Sequence, residues 1–125
     1  MKILVTGAQG QLGTEMMARA EASRHTYVFT DVLEDAARGI LQLDITDPQT
    51  IPADVDVIIN CAAYTDVNKA ESDEQTAMKV NALAPDLLAK AAKASGALLI
   101  HISTDYVFDG KADRPYKEED PAAPL

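Results

Sequence analysis

The stretch that decides the fold is Lys2-Ile3-Leu4-Val5-Thr6-Gly7-Ala8-Gln9-Gly10-Gln11-Leu12-Gly13. An apolar run suited to a strand leads into three glycines spaced Gly-x-x-Gly-x-x-Gly, and a helical pattern follows. A strand, a glycine turn and a helix in this order form a phosphate-binding device, because the helix N-terminus offers unpaired N–H groups and a partial positive charge. We expect Gly7 to make the tight turn, Gly10 to admit the phosphate and Gly13 to let the helix lie against the strand.

A second strand pattern, Thr26-Tyr27-Val28-Phe29-Thr30, ends at Asp31. This acid lies 18 residues beyond Gly13, close to the roughly 20-residue spacing of dinucleotide sites. We therefore interpret Asp31 as the acceptor for the adenosine ribose; the alternative is a solvated acid at a strand end. The carboxylate favours NADH, since a ribose 2′-phosphate would lie against its charge, and Arg38 is the one basic residue in the following loop that could help NADPH to bind.

Length and composition indicate one domain with a core of its own. The chain has 125 residues, 47% of them apolar, and 20 acidic against 11 basic residues give a net charge of −9. This balance disfavours nucleic acid and anionic membranes as partners, and the N-terminal apolar run is too short for a signal peptide or a membrane span. The single cysteine excludes an internal disulfide and favours a reducing compartment, so a cytoplasmic location is expected.

Strand and helix patterns alternate along the chain. Their order predicts an α/β fold, a Rossmann-like doubly wound parallel sheet with right-handed crossovers. The predicted elements after the first strand are a helix over Gly10–Ala22, strands over Thr26–Thr30, Val55–Asn60 and Ala97–Ser103, a short helix at Asp47-Pro48, a short strand or turn within 32–43, and helical structure from about Ala70 to Ser95 that Gly96 ends.

Pro85 lies inside the last helical stretch and cannot donate to the carbonyl of Asn81, four residues earlier. We expect a kink that leaves this carbonyl free. Two interpretations stay open: a tolerated bend or a break between two helices, and a backbone acceptor near an active site.

The chain changes character after Asp105. Asp109-Gly110 marks a turn, and a polar segment with the acidic run Glu118-Glu119-Asp120, interpreted as a solvated loop, follows it. We therefore divide the chain into an incomplete NAD(P)-binding Rossmann-like domain, 1–110, and a polar connecting loop, 111–125. Because Rossmann sheets usually continue for further strands, we expect a fold truncated before its last strands and its C-terminal substrate domain, with the fourth predicted strand as an exposed edge.

The glycine spacing, Asp44-Ile45, Asn60-Cys61-Ala62-Ala63-Tyr64, Asn81 and Ser103-Thr104 together resemble the extended short-chain dehydrogenase/reductase superfamily. Within it, the runs 63–71 and 103–110 resemble the dTDP-4-dehydrorhamnose reductases, and the likeness covers essentially the whole chain. Sugar-nucleotide 4,6-dehydratases are similar here but carry Asp-Glu after the threonine, where this chain has Asp105-Tyr106. A phenol is a poor base at neutral pH, and reduction needs no elimination base, so the reductase is favoured.

The resemblance implies hydride transfer from NADH or NADPH to the C4 ketone of a dTDP-linked keto-sugar, dTDP-4-dehydrorhamnose, which gives dTDP-rhamnose. It implies a catalytic hydroxyl at Thr104 and substrate contacts for Thr104 and Asp105. It is compatible with a homodimer, and no spacing in the chain suggests a metal site. The expected cofactor-binding residues are Gly7, Gly10, Gln11, Leu12, Gly13, Asp31, Asp44, Ile45, Ala62, Ala63, Tyr64, Thr65 and Asn81.

The tyrosine–lysine pair that protonates the product in this family is absent, since none of the four tyrosines has a lysine four places later. In the family the pair would follow a Pro-Leu like Pro124-Leu125. We therefore expect this 125-residue chain to be inactive and its parent protein to be the reductase. Two alternatives stay open: a catalytically silent regulatory subunit that binds dinucleotide, and another extended reductase or epimerase of sugar nucleotides. Cys61 is interpreted as a core residue and His101 as a packed or hydrogen-bonded histidine.

Overall fold

The structure, a computed structural model, describes residues 1–124 apart from the side chain of Pro48. Five parallel strands form one sheet in the order β3-β2-β1-β4-β5, with helices between them along the chain. The predicted Rossmann-like α/β fold is confirmed. The strands are β1 (Lys2–Thr6), β2 (Thr26–Asp31), β3 (Ile40–Gln42), β4 (Val57–Asn60) and β5 (Leu98–His101), and the α-helices are α1 (Gln11–Ala20), α2 (Val67–Ala70), α3 (Glu74–Met78) and α4 (Ala84–Ser95).

Strand β1 lies at the centre of the sheet and is apolar on both faces. Leu4 points into a core with Ile58 and Leu88 of α4, whereas Ile3 and Val5 point into a second core on the face that Met16 of α1 helps to cover. Such burial on both faces explains why the strand is a continuous apolar run. Parallel pairing on both sides also brings the carboxyl ends of β1, β2 and β4 to one edge of the sheet.

The segment 32–43, left open between a strand and a turn, contains both. A short 3-10 helix, Ala36–Arg38, leads through Gly39 into β3, which pairs with β2. Only Ile40 of this strand is buried, so the segment carries no alternating apolar pattern that could have predicted it. The helix expected at Asp47-Pro48 is a 3-10 helix, Pro48–Thr50, whose first turn is capped by the Asp47 carboxylate.

The helical structure expected from about Ala70 to Ser95 is continuous from Glu74 onward, and α2 is separate from it. A π-helical turn, Lys79–Leu83, joins α3 to α4, and the Ala84 N–H bonds to the Lys79 carbonyl five residues back. Pro85 follows this turn directly, and Leu83 and Ala84 before it keep helical φ and ψ. The proline is therefore tolerated within the helix and does not break it, and Gly96, at φ +74°, ends α4 as expected.

Strand β5 forms one edge of the sheet, as expected for the fourth predicted strand. Its Leu98 and Ile100 side chains are 60% and 42% exposed. In the part of the chain that the structure describes, no helix has both the length and the apolar character needed to cross a bilayer. The segment beyond β5 is ordered by the stacked rings of Phe108 and Tyr116, whose centroids are 4.4 Å apart.

Candidate dinucleotide site

The glycine turn after β1 is built on contacts that exclude a side chain. Gly7 has φ +70°, and a Cβ there would lie 2.6 Å from the Ala62 nitrogen. A Cβ on Gly13 would collide with the Gly7 carbonyl oxygen and approach the Ala8 Cα to 2.5 Å. These contacts agree with the tight turn expected at Gly7 and the close helix approach expected at Gly13.

Gly10 is different, because its surroundings are open. It has extended backbone and is the N-cap of α1, without a side chain to cap the helix. Within 4 Å, a Cβ there would meet only the Gly7 carbonyl oxygen, at 3.3 Å. The first-turn N–H groups of Gln11 and Leu12 are therefore not capped by a side chain, and the helix dipole adds about half a positive charge.

Asp31, at the end of β2, is oriented by backbone N–H groups of the glycine turn and its own loop. Its Oδ2 accepts from the Gln9 N–H at 2.9 Å and its Oδ1 accepts from the Val32 N–H at 2.8 Å. A carboxylate has about four acceptor positions, so about two remain for a ligand. Arg38, in contrast, lies along α1, where its guanidinium donates to the Thr14 hydroxyl at 3.3 Å.

The wall opposite the glycine turn follows β4. Asn60 is 1% exposed, and its Oδ1 accepts from the Thr6 hydroxyl at 2.6 Å and from the Ala62 N–H at 3.2 Å. The Cys61 thiol lies 3.7 Å from the Met16 sulfur, and burial raises its pKa. A thiol with a raised pKa is less nucleophilic at neutral pH, which agrees with a packing role for Cys61.

Asp44 and Ile45 close the site on the side of β3. The Asp44 Oδ1 accepts from both the N–H and the hydroxyl of Thr46, at 2.8 and 2.7 Å, and this fixes the loop in an Asx turn. Ile45 is almost fully buried and belongs to the core that contains Leu4.

These elements surround one crevice, of about 380 Å³, at the carboxyl ends of β1, β2 and β4. This is the edge at which open α/β sheets bind ligands. Seven of the expected cofactor residues line it: Gly7, Gly10, Asp31, Asp44, Ile45, Ala62 and Ala63. Six lining residues were not anticipated from the sequence: Val32, Leu43, Thr46, Cys61, Thr76 and Val80.

Four of the six unanticipated residues are sequence neighbours of expected ones, so their positions at strand ends could have indicated them. Thr76 and Val80 come from α3 and the π-helical turn, and nothing in the sequence brings those to the crevice.

Six expected cofactor residues lie outside the crevice lining: Gln11, Leu12, Gly13, Tyr64, Thr65 and Asn81. Asn81 nevertheless holds the neighbouring loop, because its Oδ1 accepts from the Tyr64 N–H at 2.8 Å and its Nδ2 donates to the Tyr64 carbonyl at 3.0 Å. Desolvation, together with the Asp73 and Asp66 carboxylates, raises the pKa of the Tyr64 phenol.

Thr104 and Asp105 lie just beyond β5, exposed and outside the crevice lining. The Thr104 hydroxyl accepts from the Tyr106 N–H at 3.2 Å and donates to the Asp105 carboxylate at 3.3 Å. Thr104 is thus the N-cap of the 3-10 helix Asp105–Val107, and Asp105 is the first residue of that helix. Among the described residues, no three metal-ligating side chains come together.

A parallel sheet with a Gly-x-x-Gly-x-x-Gly turn and a crevice at its carboxyl edge defines the class of Rossmann-like, short-chain dehydrogenase/reductase proteins. Residues 1–125 match the family model described as "RmlD substrate binding domain". The chain belongs to this family.

Similar curated proteins and solved structures agree with this family assignment. The dTDP-4-dehydrorhamnose reductase of Mycobacterium tuberculosis is 47% identical over 130 residues, which cover 98% of this chain and 40% of that protein. The crystal structure of the Clostridium acetobutylicum dTDP-4-dehydrorhamnose reductase superposes with a TM-score of 0.85 at 41% identity, covering 99% of this chain and 43% of that one. The Bacillus anthracis dTDP-4-dehydrorhamnose reductase, solved in complex with NADP, gives a TM-score of 0.82 at 32% identity, covering 98% and 43%. The chain therefore spans about two fifths of the length of these relatives.

Proposed function

We propose that this chain is the cofactor-binding portion of an NAD(P)H-dependent reductase that converts dTDP-4-dehydrorhamnose to dTDP-rhamnose. The observation that carries the proposal is the close contact between Gly7 of the glycine turn and Ala62. Because of this contact, the start of α1, Asp31 and the loop after β4 lie around one crevice. The similar reductase from Bacillus anthracis was solved with NADP, and this supports a nicotinamide dinucleotide as the ligand.

The residues at the crevice fit a dinucleotide. The start of α1 has no side-chain cap, because its N-cap residue is Gly10. The free N–H groups of the first turn therefore suit a pyrophosphate. The remaining acceptor positions of Asp31 suit the adenosine ribose hydroxyls. Val32, Leu43 and Ile45 supply apolar contacts of the kind that an adenine ring uses.

We propose that NADH binds more tightly than NADPH. The Asp31 carboxylate would repel a 2′-phosphate, whereas Arg38 would have to leave the Thr14 hydroxyl to neutralise one. Because the Arg38 side chain is exposed and its contact with Thr14 is long, that movement costs little, and NADPH remains a usable cofactor.

The cofactor supplies the hydride for the ketone. On this chain, the Thr104 hydroxyl would hold the ketone oxygen, and Asp105 would contact the sugar. Both residues are exposed, and each binds only close neighbours in the local cap, so they can exchange those bonds for substrate. The proton donor, a tyrosine four residues before a lysine, is not among residues 1–125.

The test compares the 125-residue chain with the full-length protein. We expect both to bind NADH in an isothermal titration, and only the full-length protein to oxidise it when dTDP-4-dehydrorhamnose is added. Asp31→Ala should narrow the preference for NADH over NADPH by roughly tenfold, because it removes the repulsion of one phosphate. Unchanged preference would contradict the role of Asp31.

Three further outcomes would separate the alternatives. Dinucleotide binding without turnover by the full-length protein would favour a silent regulatory subunit. Turnover of a different sugar nucleotide would favour another extended reductase or epimerase. Robust turnover by the 125-residue chain itself would overturn the roles assigned here.

A further inference from the structure

A line of polar side chains crosses three adjacent strands behind the crevice. Thr6, Asn60 and His101 are register partners at the carboxyl ends of β1, β4 and β5. Thr6 and Asn60 are each 1% exposed, whereas His101 is exposed at the edge of the sheet. The Thr6 hydroxyl donates to Asn60 Oδ1 at 2.6 Å, and Asn60 Nδ2 lies 3.0 Å from His101 Nδ1. The line thus connects solvent to the middle of the sheet.

The direction of these hydrogen bonds is determined. Asn60 Oδ1 accepts from two donors, the Thr6 hydroxyl and the Ala62 N–H, so the oxygen of the amide must face them. The Nδ2 group, which only donates, then faces His101. His101 Nδ1 must therefore be the acceptor, and the imidazole proton resides on Nε2.

Asn60 also sets the position of the crevice wall. Its Oδ1 binds the Ala62 nitrogen, the same atom that lies 2.6 Å from the place where a Gly7 Cβ would be. A shift of Ala62 therefore changes the contact between the wall and the glycine turn. Whatever holds the Asn60 amide in place acts on the opening of the crevice.

We propose that His101 is a positioning residue of the dinucleotide site, acting through Asn60 on the Ala62 wall. The imidazole accepts from Asn60 Nδ2 and keeps the amide oriented. Without this acceptor, the buried Asn60 amide would lose its hydrogen bond on the Nδ2 side and could turn away from Thr6 and Ala62. This inference rests on the proposed function, since it assumes that the crevice binds a dinucleotide.

Among the described residues, no charged side chain on the elements around β5 bonds to the His101 imidazole. Strand β4 carries no titratable side chain, and on α4 Asp86 pairs with Lys90 at 2.6 Å. Lys93 is on the last turn of α4, and Asp105, in the turn after β5, accepts from Thr104. Within residues 1–124, the hydrogen bond to Asn60 is the only one that the His101 imidazole makes.

The test is a titration of the full-length protein with NAD⁺ at pH 7.5. His101→Leu removes the acceptor, and we expect its affinity to fall by about three- to tenfold, the effect of losing one hydrogen bond. His101→Asn places an acceptor near the position of Nδ1, so it should keep most of the wild-type affinity.

The other histidine of residues 1–125, His25, provides a matched control. His25→Leu lies away from the crevice, beside the N-terminus, and should bind NAD⁺ as tightly as the wild type. Equal affinity of His101→Leu and the wild type, or the same loss in His101→Asn as in His101→Leu, would overturn the proposal. Failure of the wild type to bind would instead overturn the proposed function, and circular dichroism of each variant would identify loss of folding.

Discussion

At the scale of single residues, two of the four positive-φ glycines, Gly7 and Gly39, illustrate what a sequence motif encodes. Their φ values are +70° and +71°, but a Cβ on Gly7 would lie within 2.8 Å of three backbone atoms, whereas a Cβ on Gly39 meets nothing within 4 Å. The motif spacing predicted the turn at Gly7. The spacing did not predict that Gly7 contacts Ala62, in the loop after β4, because that contact depends on the pairing of β1 with β4.

Replacing each of these glycines by alanine should separate backbone conformation from crowding. Gly39→Ala should lower the free energy of unfolding by about 1 kcal/mol, the cost of a left-handed conformation. Gly7→Ala should lower it by about 3 kcal/mol, since the backbone at Ala62 must also move. Urea denaturation of both variants measures the difference, and equal losses would show that the contact with Ala62 is not tight.

A second prediction at this scale concerns Asp120, which Arg114 binds through two hydrogen bonds of 2.8 and 2.7 Å. The hydrogen bonds from Arg114, then that from the Lys117 N–H, lower the pKa of the Asp120 carboxyl from 3.8 to about 2. Because the folded pKa is depressed, this stabilisation of the loop is present above about pH 4 and is lost as the pH falls through about 2.

Carboxyl carbon shifts in an NMR titration would measure this pKa directly. Arg114→Gln should bring the pKa of Asp120 back toward 3.8, since one neutral amide replaces the guanidinium. Asp109, whose pKa is lowered by the Lys111 N–H and then by the Tyr116 hydroxyl, serves as the internal reference and should not change. A parallel shift of both carboxyls would indicate that the whole loop has opened.

At the scale of elements, the helical region between β4 and β5 departs most from the sequence-based prediction. Pro85 indicated a tolerated bend or a break, and the helix continues through it; the π-helical turn Lys79–Leu83 was not predicted, because it depends on the Ala84 N–H bonding five residues back and no residue type specifies that. The turn carries Asn81, whose side chain binds both backbone groups of Tyr64. The expected role of Asn81 concerned its backbone; the side-chain contacts were not anticipated.

Variants of Asn81 should show what this contact does for the loop after β4. Asn81→Ala removes both hydrogen bonds, and Asn81→Asp keeps the acceptor for the Tyr64 N–H while losing the donor to its carbonyl. We expect amide exchange at Tyr64 to accelerate about tenfold in Asn81→Ala and less in Asn81→Asp, because each bond contributes about 1 kcal/mol. Unaltered exchange in both variants would mean that other contacts hold the loop.

At the scale of the whole molecule, the sequence predicted the sheet and seven of the thirteen residues that line the crevice for a shared reason. The strands are apolar runs bounded by turn residues, and the ligand edge of a parallel sheet follows from strand direction alone. Gly7, Asp31 and Ala62 could therefore be assigned to one crevice from their positions after strands. The approach of Thr76 and Val80 could not, because it depends on how α3 and the π-helical turn pack.

The exposed edge strand β5 predicts how the 125-residue chain behaves alone. Leu98 and Ile100 of β5 are exposed on an edge strand, which is a template for self-association. We expect the chain to associate at high concentration in sedimentation velocity, and Ile100→Lys to reduce this. Leu41→Lys is a matched control on the opposite edge, where the residue is 54% exposed but the strand has three residues. Equal reductions by both variants would argue against association through β5.

The hydrogen bond between Thr6 and Asn60 joins residues 54 positions apart, and the one between Asn60 and His101 spans another 41. Such distant pairings form late when a chain acquires its structure, since the intervening loops must close first. The proposed dinucleotide site therefore forms only after β1 has paired with both β2 and β4. We therefore expect a bound dinucleotide to slow unfolding and to leave the refolding rate unchanged. The cofactor would then stabilise the folded protein without accelerating its folding.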